Sequence, residues 1–191
     1  MEKQNKNRYF NPDFENSIIR RNFLIKILKP LINRANYSGN TLFLSIAIMD
    51  AFLSTNKCSD DLIPTVGIIS LTLASKFNEI NYIDLDQDFF KDMQSCVCLP
   101  MFPVLEKLML TTLGFNVNVI TPLHFVLLFQ ELGFFNPGSS ANCSDEAQEM
   151  VNLNTEMLFL FSLEYEVNLF RPLYVALSIM IVLNIFLKKS D

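Results

Sequence analysis

Apolar residues recur three and four positions apart along most of the chain, the period of helices that bury one face. Over residues 13–28 this spacing gathers Ile18, Ile19, Phe23, Leu24, Ile27 and Leu28 into a wide stripe and predicts a first helix. Pro30 is expected to kink or end it, because proline lacks an N–H and clashes with the preceding turn. Ser38-Gly39-Asn40 breaks the pattern, with Asn40 a candidate N-cap for a second helix reaching residue 54. Ser59-Asp60-Asp61 caps and charges the start of a third, which runs to residue 78. Residues 79–100 are less regular, with a short fourth helix predicted over 84–93. Pro100 and Pro103 precede a fifth over 104–113, which Gly114 ends. Thr121-Pro122 starts a sixth, to residue 132. Residues 133–144 collect Gly, Pro, Ser and Asn and form the linker. Two more helices are predicted, over 145–163 and 171–188. No strand alternation, heptad run or low-complexity tract competes, so the expected fold class is all-α.

Half of the 191 residues are hydrophobic and 18% are charged, ample material for one domain or two small helical lobes, with some apolar surface to spare for a partner. The net charge of −5, without basic clusters, argues against nucleic acid, whose phosphates need Lys and Arg on one face. Cys58, Cys96, Cys98 and Cys143 do not have a zinc spacing, and no second Cys or His pair completes a metal site. Reduced thiols in a nuclear or cytoplasmic protein are expected. The polar opening, residues 1–16, has no secretory character. Residues 173–187 are apolar apart from Ser178 and Asn184, but fall short of the ~20 residues of a bilayer span, and a helix packed between helices is expected. No nucleophile–base motif or phosphate loop is present, and the single histidine, His124, is expected as a helix residue near the core. No catalysis and no cofactor are therefore expected.

Three stretches carry a recognisable pattern. Thr41-Leu42-Phe43-Leu44-Ser45-Ile46-Ala47-Ile48-Met49-Asp50-Ala51-Phe52-Leu53-Ser54 resembles the second helix of the cyclin box, which usually reads TL…DRFLS. Leu73-Ala74-Ser75-Lys76-Phe77-Asn78-Glu79-Ile80 resembles the LASKFEE end of its third helix. Residues 105–117 followed by Thr121-Pro122-Leu123-His124-Phe125 resemble its fifth. Each alone is weak; three in order at these separations identify the chain as similar to cyclins, nearest to the A/B type. The match covers residues 20–133 well and 145–188 loosely.

The resemblance implies a five-helix cyclin box over residues 16–120, after a loose tail over 1–15, and a shortened second lobe over 121–191. It implies docking on a cyclin-dependent kinase, with Lys76 and Glu106 hydrogen-bonding the kinase backbone and Leu73, Phe77, Leu110, Phe115 and Val117 as apolar contacts. Arg21 and Asp50 would form an internal ion pair. The chain would be a non-catalytic kinase activator in cell-cycle control; a cyclin-fold scaffold without a kinase is the alternative. Ala51 and Asn78 depart from the family pattern without touching these contacts. The first-helix stretch Arg20-Arg21-Asn22-Phe23-Leu24-Ile25-Lys26-Ile27-Leu28-Lys29-Pro30 departs further from the usual MRAIL…W, which puts substrate docking there in doubt. The tail is shorter than the regulatory arms of mitotic cyclins, and a further protein is expected to cover the apolar C-terminal helices.

Overall fold

The computed structural model describes residues 14–82, 97–134 and 143–187. They form seven α-helices joined by short 3₁₀ turns, with no strand among the described residues. The chain divides into two compact units between Val119 and Ile120. The expected helix over 84–93, the tail over 1–12 and most of the linker lie outside the described residues.

The first unit contains α1 (Phe14–Ala35), α2 (Gly39–Thr55), α3 (Ile63–Asn78) and α4 (Phe102–Thr112). Helix α3 is its centre, packed against the other three. Every residue from Thr65 to Ser75 is buried. A helix enclosed all round must satisfy its own polar groups, and α3 does so locally. Ser70, Thr72 and Ser75 donate to the carbonyls of Gly67, Ile68 and Thr72 at 2.7, 3.0 and 2.9 Å, and Thr65 accepts from the Cys98 N–H. Gly67 lets α1 approach closely: a Cβ there would lie 3.1 Å from Leu24 Cδ2. Ile25, Leu28, Ile48, Met49, Ile68, Ile69, Leu71 and Met109 are fully buried. Burial stabilises by about 1.5–3 kcal/mol for a whole aliphatic side chain, which makes this cluster the main source of the unit's stability.

Several boundaries differ from expectation, among them the start of α4 at Phe102, which takes Pro103 into its first turn. Pro30 does not end α1, which continues to Ala35. Its ring lies on the exposed side, and the carbonyl it leaves unpaired belongs to Lys26, also exposed, where water can serve it. The stop is Asn36, left-handed at φ 55°, with the Tyr37 N–H returning to the Ile32 carbonyl at 3.0 Å. Helix α2 begins at Gly39, so its N-cap is Ser38 and not Asn40.

The second unit contains α5 (Pro122–Glu131), α6 (Cys143–Ser162), a 3₁₀ turn at Tyr165–Leu169 and α7 (Pro172–Leu187). Helix α6 starts two residues earlier than expected. The three helices pack mutually around Leu123, Val126, Val151, Leu158, Ala176, Ile179 and Met180. His124 is not near the core: it is exposed in the first turn of α5, and its Nδ1 accepts from the Thr121 N–H at 3.2 Å. Ile181, Ile185 and Phe186 of α7 are more than half exposed. No helix among the described residues is long and apolar enough to cross a membrane.

Candidate partner-docking site

Lys76 lies in the last turn of α3 and Glu106 in the middle of α4. Their side chains meet at 2.9 Å, with side-chain exposures of 44% and 25%. Such a partly exposed bridge is worth at most about 1 kcal/mol, so it can be exchanged for other partners at little cost. Phe77, the next residue, is half exposed. Leu110 stands one turn beyond Glu106 on the same face of α4 and is half-buried. Leu73, one turn before Lys76 and Phe77, is only 6% exposed and packs in the core beneath them.

Helix α4 ends in two successive left-handed residues, Gly114 at φ 60° and Phe115 at φ 58°. The Gly114 and Phe115 N–H groups donate to the Thr111 and Leu110 carbonyls at 3.0 and 2.8 Å, closing the helix. A left-handed phenylalanine is strained by about 1–3 kcal/mol, and its ring gains little from burial in return, being 68% exposed. Val117, just beyond, is half-buried. Thus Lys76 and Glu106 are brought together, Phe77, Leu110, Phe115 and Val117 reach the surface in whole or part, and Leu73 does not.

Polar ties between helices complete the first unit. Arg21 of α1 grips Asp50 of α2 with a guanidinium fork, Nε to Oδ1 at 2.6 Å and the second nitrogen to Oδ2 at 2.8 Å. Their side-chain exposures are 4% and 16%, and Arg21 also donates to Asn22 Oδ1 at 3.1 Å. Arg20 and Asp60 make a second bridge at 2.5 Å, but in the open at 38% and 64% exposure. Asn56, the C-cap of α2, donates to Thr112 at the end of α4 at 3.2 Å.

Glu79 is a member of this framework that sequence reasoning did not single out. It is the C-cap of α3, and its carboxylate reaches across to the start of α2. Oε1 accepts from the Ser38 N–H and hydroxyl, both at 2.9 Å, and from the Thr41 hydroxyl. Partial burial would push this carboxyl up, but the three donors outweigh it and hold the carboxyl below the usual range. The nearby Tyr37 phenol is pushed up by burial and by the Glu79 charge, and donates to the Asn81 carbonyl at 2.6 Å.

Among the described residues no group of His, Cys, Asp and Glu could hold a metal ion. A family model for "Cyclin, N-terminal domain" matches residues 1–118. The chain is 29% identical over 156 residues to the G2/mitotic-specific cyclin-B2 of Rana japonica, covering 82% of this chain and 37% of that protein. It is 31% identical over 106 residues to the G2/mitotic-specific cyclin-2 of Saccharomyces cerevisiae, covering 56% of this chain and 21% of the yeast protein. The matched part thus spans well under half the length of these relatives. A viral cyclin from herpesvirus saimiri has a similar fold, with a TM-score of 0.70 at 12% identity, covering 85% of this chain and 68% of the viral one. With a family match over more than half of its length, the chain belongs to the cyclin family.

Proposed function

We propose that this chain is the regulatory subunit of a cyclin-dependent protein kinase, acting in control of cell division in the nucleus or cytoplasm. In this reading residues 16–120 are the cyclin box, residues 121–191 a shortened second lobe, and the kinase docks on the end of α3 and on α4. The observation that carries it is the Lys76–Glu106 bridge, an exchangeable pair next to the outward Phe77, with the strained, exposed Phe115 just past the end of α4. On docking, the Lys76 ammonium would donate to a kinase backbone carbonyl and the Glu106 carboxylate would accept from a backbone N–H, while the two rings lose water against the kinase. Charge-assisted bonds of this kind are roughly twice as strong as neutral ones, so two of them can set register as well as affinity. The chain supplies no reacting group; it would act by holding the kinase in its active arrangement.

The test is binding of a purified mitotic cyclin-dependent kinase catalytic subunit to the full chain and to Lys76→Ala/Glu106→Ala. The double variant is expected to keep its helical circular dichroism and lose binding. Undiminished binding by the variant would place the docking face elsewhere.

A further inference from the structure

Two polar ties hold the last turn of α3. On one side Lys76 is bonded to Glu106 of α4. On the other, Glu79 is bonded to Ser38 and Thr41 at the start of α2, and the Tyr37 hydroxyl holds the Asn81 carbonyl just beyond. The second tie does double duty at α2. That helix has no acidic residue in its first turn, and the Ser38 side chain makes no cap bond to it. A carboxylate 41 residues away therefore serves as its N-terminal anion, where the helix end favours negative charge.

The two ties differ in what docking does to them. If Lys76 and Glu106 turn to a partner, the bridge between them opens. Glu79 makes no such change, since docking in this reading takes up Lys76 and Glu106 and leaves its bonds to Ser38 and Thr41 in place. We propose that Glu79 is a positioning residue for kinase docking, anchoring the last turn of α3 to α2 so that Lys76 and Phe77 stay in place when the Lys76–Glu106 bridge opens. This rests on the docking reading above. A turn held in advance loses little freedom on binding, whereas a loose one must be ordered at the expense of affinity. Thr41 adds a constraint, because its buried hydroxyl loses a strong acceptor if the carboxylate is removed.

The experiment measures the dissociation constant of the full chain for a purified mitotic cyclin-dependent kinase catalytic subunit, with hydrogen exchange on the unbound chain. Glu79→Ala is expected to weaken binding on the order of tenfold and to speed exchange at the end of α3 and the start of α2. Glu79→Gln keeps a carbonyl oxygen for the same donors and is expected to recover most of the affinity. Ser38→Ala introduced into Glu79→Ala should weaken binding no further, because both act through one link. Weakened binding by Glu79→Ala with unchanged hydrogen exchange at the end of α3 would overturn the proposal, because the loss would then not come from the tie to α2. If Glu79→Ala does not fold, Ser38→Ala carries the test: a few-fold weakening is expected, and parental affinity overturns the proposal. Lys76→Ala/Glu106→Ala separates the two readings. If it binds like the parent, the docking reading fails; if it loses binding while Glu79→Ala does not, only the positioning role fails.

Discussion

Cutting the Arg21–Asp50 bridge from one side tests the internal framework directly. Asp50→Ala removes two charge-assisted hydrogen bonds, at 2.6 and 2.8 Å, from a guanidinium whose side chain is 4% exposed. The guanidinium that remains keeps Asn22 Oδ1 as a partner but loses the fork to this carboxylate. Removing one member of a buried pair costs about 3–5 kcal/mol; with Asp50 at 16% exposure, water can enter and the lower end applies, about 3 kcal/mol. In a unit of this size each kcal/mol moves the melting temperature by about 4 °C, so a fall of about 12 °C is expected. Arg20–Asp60 provides the control, since at 38% and 64% exposure it should be worth less than about 1 kcal/mol. Asp60→Ala should then shift melting by no more than about 4 °C. Replacing both buried partners, as Arg21→Met/Asp50→Leu, should restore much of the loss, because the buried guanidinium goes with the carboxylate. Thermal melting by circular dichroism reads the effect, and hydrogen exchange in α1 and α2 assigns the transition to the first unit. A shift for Asp50→Ala no larger than that for Asp60→Ala would refute the reasoning.

Two further outcomes follow from backbone and carboxylate chemistry. Phe115→Gly relieves a left-handed phenylalanine, so melting temperature should stay level or rise while kinase binding falls; binding equal to the parent would remove Phe115 from the docking surface. Glu79 has a folded-state carboxyl below its ordinary value, so its contribution is present above the unfolded value of about 4 and is lost as pH falls through the folded one. Glu79→Gln should therefore flatten part of the parent's loss of stability below about pH 4, and identical acid profiles would show that the carboxylate contributes nothing to folding.

The helices were legible because their apolar period is long and unbroken, and Arg21 and Asp50 could be paired through the family pattern of the first two helices. What the sequence hid was of two kinds. Local rules misled where exposure overrode them: Pro30 breaks a helix in general, but on the outer face of α1 its missing hydrogen bond falls to water, and Asn36 became the stop. Leu73 shares an apolar stripe with Phe77, and periodicity alone could not say that one would be buried and the other left outside. The other kind was long-range. Nothing near Glu79 announces that the donors to its carboxylate are Ser38 and Thr41, and Ser38 looks like an unremarkable turn serine until α3 returns beside it. The family motif did contain this glutamate, but a motif conveys that a residue recurs, not what it touches.

The arrangement at the start of α2 also bears on the order in which the chain can fold. As it leaves the ribosome, α1 and α2 emerge well before residue 79. Until then the Ser38 N–H and the Thr41 hydroxyl lack the carboxylate that they share in the finished protein. The α1–α2 hairpin is thus not a self-sufficient early product of synthesis; its inner end waits for the whole of α3. Closing a link across 41 residues is slower than forming local helical contacts, so nascent α1 and α2 hold their apolar faces open until α3 arrives to fill the centre. The buried face of α3 and this carboxylate thus complete the first three helices together, and the growing chain is most in need of protection from aggregation until Glu79 has cleared the ribosome.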